Sequence, residues 1–354
     1  LCLPMIGFGQ NVYIPAANFK SYLVGNTAIN TNGDTEIQVS EATAFNGAIY
    51  FSYAFTSDLT GIENFTALTE LYCNNNQITN LDVSNNLALT YLDCDNNQLT
   101  SLDVSQNTAL TYLYCSNNSI NSLDVSNNTA LTDLGCNTNQ ITNLDVSNNL
   151  ALTRLGASYN LLTSLDVSGA TDLTVLTCVN GQLTSLDVSS NTALTRLRCN
   201  NNQLTSLDVS NNTALTDLGC HDNLLTNLDV SNNLALTFLW LEINQLTSLD
   251  VSSNLALTTL NCNFNILTTI DVSGATALTL LSVVGNNLTT LDVSNNLALT
   301  SPFPAVFACT FNPNLYCIDV DDPIWSTTNW TVANGNIDST MSFSANCGFT
   351  LGCI

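Results

Sequence analysis

The tripeptide Leu-Asp-Val recurs at residues 81, 102, 123, 144, 165, 186, 207, 228, 249 and 291, with Ile-Asp-Val at 270, so eleven copies hold a constant spacing of 21. Chance does not keep that register. A chain of 354 residues would ordinarily suggest roughly two or three globular domains. A fixed short period says instead that one supersecondary unit is repeated. One such turn cannot enclose a core, but stacked turns share one.

A full unit reads L-x-x-L-x-C-x-x-N-x-L-x-x-L-D-V. In "TYLDC" (90–94), Leu92 and Cys94 alternate with Tyr91 and Asp93, the period of a strand with one face inward. Leu99, Leu102 and Val104 supply an inward set on the opposite wall. Parallel strands about 4.8 Å apart would give the stack roughly 50 Å of length. Over residues 59–300 this pattern resembles the leucine-rich repeat in its short bacterial, internalin-like form. The resemblance implies a right-handed solenoid, mainly β, with a parallel sheet on a concave binding face.

Three ladders follow from the stacking. Asn recurs three residues after the Cys slot, from Asn76 to Asn286, with Gly181 the one departure; its amide can both donate to and accept from the turn backbone. The Cys slot holds Cys73, Cys94, Cys115, Cys136, Cys178, Cys199, Cys220 and Cys262, replaced elsewhere by Ala157, Leu241 or Val283. A slot that accepts apolar residues equally well is a core slot, and free Cys behaves as a small hydrophobe. A single file of thiols does not converge on a metal. The Asp of each Leu-Asp-Val is expected to close an Asx turn with its following Ser, binding of cations along the row being the alternative.

If the framework is fixed, recognition lies where it varies. The outward strand positions carry three of the four basic residues, Arg154, Arg196 and Arg198, and the single histidine, His221. Arg154 neighbours Asp133 in its column and Arg196 neighbours Asp217, so both can form lateral pairs. Arg198 has Thr177 and Gly219 beside it, and no carboxylate answers it within the row. Beyond Gly219 comes Trp240, which suggests a shallow subsite floored by Gly219, with His221, Phe238 and Glu242 around it. A second patch comprises Tyr72, Tyr91, Tyr112 and Tyr114, flat amphipathic faces that suit protein or sugar contacts, or that merely stack on one another. Asp93 and Asp95 are expected on a solvated sheet, without a reason for raised pKa values.

The ends depart from the period. Residues 1–9, "LCLPMIGFG", read as the remnant of a signal peptide with its small-x-small site, a hydrophobic first strand being the alternative; the charged start is absent, so the N-terminus reads as truncated. Residues 10–57 form an N-terminal cap, with a helix expected over 14–24. "NTNGDTEIQVSE" (30–41) resembles an EF-hand loop, with Asn30, Asn32, Asp34, Glu36 and Glu41 as implied calcium ligands. It departs in having Asn at the first position and Thr35 at the turn glycine. The repeats then run over 58–300 as eleven units, and Pro302 and Pro304 are expected to stop strand pairing and open a C-terminal cap, 301–354. That cap looks like those of secreted relatives, which implies a Cys317–Cys347 disulfide; Cys309 and Cys353 could form another. Relatives commonly continue into a sorting domain, and the sequence stops at Ile354 without one.

A formal charge of −24 disfavours nucleic acid and anionic membrane surfaces as partners. No apolar run is long enough to span a membrane. No nucleophile motif accompanies His221, so no catalysis is expected. The expectation is a monomeric, secreted or cell-surface module binding an extracellular protein or glycan. The alternative is an ice- or mineral-contacting scaffold that uses the Asp, Thr and Asn rows.

Overall fold

Each coil places Leu at the centre of a three-residue strand, where alternation sends it inward and its two neighbours outward. The computed structural model describes residues 9–300 and 306–348. The chain divides into two compact units, Leu1–Ala170 and Thr171–Ile354.

The N-terminal unit begins with helices α1 (Ala17–Gly25) and α2 (Val39–Ala44). Parallel strands follow: β1 (Ala48–Tyr50), β2 (Glu70–Tyr72), β3 (Tyr91–Asp93), β4 (Tyr112–Tyr114), β5 (Asp133–Gly135) and β6 (Arg154–Gly156). Leu71, Leu92, Leu113 and Leu134 are fully buried one above another, as are Cys73, Cys94, Cys115 and Cys136. Helix α1 closes the end of this core with Phe19 and Leu23, and the Phe19 ring meets Phe51 at 5.1 Å.

The C-terminal unit repeats the arrangement with β7 (Val175–Thr177), β8 (Arg196–Arg198), β9 (Asp217–Gly219), β10 (Phe238–Trp240), β12 (Thr259–Asn261), β14 (Leu280–Ser282) and β16 (Val306–Ala308). On its other wall β11 (Ser248–Asp250) pairs with β13 (Thr269–Asp271), and β15 (Leu291–Asp292) pairs with β17 (Cys317–Asp319), which pairs with β18 (Ser342–Ser344). A short helix, α3 (Pro323–Asn329), is capped by Asp322, whose carboxylate accepts from the N–H groups of Ile324 and Trp325. Each unit is thus a parallel-strand solenoid, as the repeat implies.

Strand pairing does not stop at 300. Val306–Ala308 pairs in register with Leu280–Ser282, Cys309 occupies the Cys slot, and the Asn312 amide donates to Val283 O and Cys309 O. Ile318-Asp319-Val320 then supplies another copy of the tripeptide signature. Both prolines precede this strand and take none of its N–H groups; they lie, like residues 1–8 and Cys353, outside the described residues. The Cys317–Cys347 disulfide is present, and Cys309 is a buried thiol beside Met341.

The ladders carry the bonds their chemistry allows. In the Asn slot, the Asn97 amide donates to Cys73 O and Cys94 O at 3.1 Å each, and its oxygen accepts from Ile78 N. In the Asp row, Asp82 and its ten successors each accept from the N–H of the Ser two residues on. These local bonds hold the carboxyls of Asp103, Asp124, Asp187, Asp208 and Asp229 below the usual range. Burial pushes the thiols of Cys136, Cys178, Cys220 and Cys262 up to about 12, so they stay protonated and unreactive.

A fourth ladder was not legible beforehand. The Asn two residues after the turn Ser, including Asn86, Asn107, Asn128, Asn149, Asn212, Asn233 and Asn254, is completely buried. Asn128 donates to Val104 O at 2.9 Å and to Asn107 O at 2.8 Å, stitching its coil to the one before, while its own Oδ1 meets no partner.

Candidate binding surface

The outward positions of the short strands form the variable face in each unit. In the N-terminal unit it is aromatic and acidic. Tyr50 stacks on Tyr72 at 4.7 Å, Tyr72 on Tyr91 at 4.6 Å, and Tyr91 meets Tyr112 at 5.6 Å and Tyr114 at 5.8 Å. The predicted patch is therefore a continuous file, and Tyr50, which precedes the first clear repeat, extends it. The alternation of Ile49 and Phe51 around Tyr50 was the available signal. Tyr114 lies across Gly135, where a Cβ would approach its ring to 2.9 Å, and its hydroxyl bonds Asp133. Arg154 pairs with the same Asp133 at 3.1 Å, the expected lateral pair.

Asp93 and Asp95 depart from expectation. Both are expected to be solvated, yet burial raises each, Asp95 to about 6 despite a bond from Ser116 N. Burial also pushes the Tyr91 hydroxyl upward, and the carboxylates of Asp93 and Asp95 add to it.

In the C-terminal unit the variable face holds Arg196, Arg198, Asp217, His221, Phe238, Trp240 and Glu242. Arg196 Nε lies 3.2 Å from Asp217 Oδ2, as its column position suggests. Arg198 overturns two expectations. Its Nη2 reaches the same Oδ2 at 2.7 Å, so a carboxylate does answer it, diagonally rather than along the row. Its side chain also lies over Gly219, where a Cβ would sit 2.7 Å from Arg198 Cδ, and its guanidinium carbon is 5.6 Å from the Trp240 ring centre. The shallow pocket expected above Gly219 is filled by Arg198 itself. What remains is a surface with Phe238 and Trp240 exposed and Arg196 half-exposed. His221 sits 6.1 Å from Trp240 with Nδ1 buried and unpartnered; burial holds its pKa below the usual value, against the pull of Glu242 and Asp222. Glu242 is bonded by the Asn261 amide.

The loop 30–41 closes on itself. Glu41 Oε1 accepts from Thr31 N, Thr31 Oγ1 and Asn32 N, and Oε2 from Gln38 N. Burial opposes its ionisation, but these donors together hold its pKa below the usual value. Asn30 Oδ1 accepts from Gly33 N, Asp34 accepts from Asn32 and Gln38 amides, and the Lys20 ammonium sits 2.6 Å from Glu36. A site lined by N–H groups and an ammonium does not fit calcium, which needs converging free oxygens. Among the described residues, no group of three or more His, Cys, Asp or Glu is placed to hold a metal ion. Chelation is expected to shift the thermal midpoint of the chain by less than about 1 °C. A drop of several degrees, reversed by added calcium and followed calorimetrically, would put an ion in the loop.

The profile of the leucine-rich repeats (2 copies) family matches residues 66–107. The functional domain of InlJ from Listeria monocytogenes, whose structure includes a cysteine ladder, is 36% identical to the chain, with a TM-score of 0.72 over 88% of this chain and 72% of that one. This chain is an internalin-like leucine-rich-repeat protein. Two further structures share the fold: an internalin, InlF, from Listeria monocytogenes (21% identity, TM-score 0.63, 90% of this chain and 99% of that one) and the Leptospira interrogans LRR protein LIC12759 (22%, 0.63, 80% and 74%). No match is found among curated proteins. Like InlJ, this internalin-like chain stacks cysteines in file. Such repeats commonly mediate protein binding, and no described helix is long and apolar enough to cross a membrane.

Proposed function

We propose that this internalin-like chain is a non-catalytic recognition module that works outside the cell and binds a protein or glycan through the strand faces of its units. The observation that carries this reading is where the sequence varies. Leu, Cys and both buried Asn slots repeat almost unchanged, whereas the adjoining outward slots hold the tyrosine file, three arginines, His221, Phe238 and Trp240. Rigid frames with individualised surfaces are how repeat proteins recognise partners. The outer-wall Asp row, which a mineral- or ice-contacting scaffold would use, is occupied by its own Ser N–H groups. No nucleophile accompanies His221, whose burial and Trp240 neighbour suit contact rather than proton transfer.

A screen on protein and glycan arrays, repeated with variants, tests this. Arg198→Ala with Trp240→Ala, or Tyr72→Ala with Tyr91→Ala, is expected to weaken a captured partner about tenfold or more, the loss typical of central interface aromatics and arginines. Asp103→Asn with Asp124→Asn on the outer wall should leave it unchanged. Binding that survives both inner-face pairs and fails in the outer-wall pair would favour the scaffold.

A further inference from the structure

The strand faces contain four half-buried or buried aspartates, and the chain treats them unequally. Asp133 is paired by Arg154, and Asp217 by both Arg196 and Arg198. Asp93 and Asp95, two coils before Asp133, have no basic side chain against them among the described residues. Asp93 Oδ1 accepts only the N–H of Asp95, and Asp95 accepts Ser116 N. A carboxylate sheltered from water without a cation is held at a cost, which is why burial raises both from the usual range. Beside them runs the tyrosine file, with Tyr50 and Tyr112 exposed, and Glu70 bonded to the Tyr72 hydroxyl. The electron-rich faces of tyrosine attract the same groups that carboxylates do, guanidinium above all, because its plane stacks on a ring while its edge donates to an oxygen pair.

We propose that the strand face of the N-terminal unit docks a basic, arginine-bearing polypeptide segment, whose guanidinium groups lie against the exposed Tyr112 and the open side of the file held by Tyr72 and Tyr91, and pair with Asp93 and Asp95. This deepens the recognition reading and rests on it. The chain itself supplies the template: Arg154 meets Asp133 beside Tyr114, and an external arginine would repeat that arrangement two coils earlier. The charge of −24 on the whole chain would draw such a segment in, and the aspartate pair would hold it. A neutral glycan could stack on the rings and donate hydroxyls to the carboxylates but would leave their charge uncompensated.

The test is fluorescence anisotropy with labelled Arg-Gly, Lys-Gly and Glu-Gly repeat peptides of equal length on the full chain, at a salt concentration near 0.15 M, where exposed charges are screened beyond about 8 Å. The Arg-Gly peptide is expected to bind more tightly than Lys-Gly, and Glu-Gly not to bind. Asp93→Asn with Asp95→Asn should weaken Arg-Gly binding about tenfold or more, and Tyr72→Ala with Tyr91→Ala several-fold. Asp103→Asn with Asp124→Asn removes the same charge from the outer wall and should change nothing. Equal weakening by the outer-wall pair would reduce the attraction to net charge and overturn the proposal, as would no binding of Arg-Gly at all. Capture of a neutral glycan or an acidic protein that is lost on Tyr72→Ala with Tyr91→Ala would overturn the basic partner while leaving strand-face recognition standing.

Discussion

Changing Asn128 to Asp should destabilise the chain by about 4 kcal/mol or more at neutral pH, although the two side chains have the same shape. The Asn128 amide is fully buried and donates to Val104 O and Asn107 O. Replacing that NH2 with a carboxylate oxygen turns two attractions into two repulsions and places a charge where no cation reaches. No cavity forms, so the whole effect is electrostatic. Burial would raise the folded-state pKa of the new carboxyl above its unfolded value, so the folded form binds more protons and the penalty shrinks as pH falls. Asn127→Asp is the control: that neighbour is exposed and makes one long bond to Ser105 O, so the change should stay within about 0.5 kcal/mol. Urea midpoints at neutral and mildly acidic pH measure both. Similar midpoints for the two variants would mean that the inner Asn row does not bind coil to coil.

Gly274 should be the second sensitive position. Two repeats replace "SNN" by "SGA", and in the later one a Cβ at Gly274 would lie 1.7 Å from Ser252 O. With Ala275 in the buried slot there is no amide to hold the preceding coil, and the turn settles closer to it, which only glycine permits. Gly274→Ala is expected to cost about 3 kcal/mol, since a packed backbone cannot give way by that much. Gly274→Asn combined with Ala275→Asn rebuilds the turn found at 294–296 and should recover most of the loss that Gly274→Asn suffers alone. That recovery is the coupling between neighbours a double-mutant cycle reads in urea midpoints. Additive losses would show that the two turn types are not alternative solutions of one space.

What the sequence disclosed follows the same logic. A period of 21 samples every slot many times, so Leu92, Cys94, Leu99 and Val104 could be placed inward from alternation alone, and all four are fully buried. The Asx turns and the Asn97 type of bond were also legible, because each satisfies the backbone of its own turn or of the same turn one coil away. The misses share a different cause. Arg198 meets Asp217 across a diagonal, and column-by-column reading sees only residues that lie side by side. Asn128 hides within a Ser-Asn-Asn run that looks like an exposed polar turn; only the paired replacement by Gly-Ala betrays a buried slot. The coil at 306–320 escaped because its spacing from the preceding repeat, 291 to 318, is 27 residues rather than 21. Glu41 has the position of a calcium ligand, and its oxygens accept from the N–H groups of Thr31, Asn32 and Gln38, which the loop pattern does not disclose.

The hydrogen bonds of Asn97, Asn128 and their counterparts stay within their own coil or run to the coil immediately before. Nothing in the scaffold therefore records how many coils there are. A gene that gains or sheds one whole period keeps every remaining contact, whereas a shift of a single residue disturbs the coil that carries it and the coils on either side. The reach of the recognition face can thus change by duplication in steps, leaving selection free to alter the outward side chains of each new copy independently.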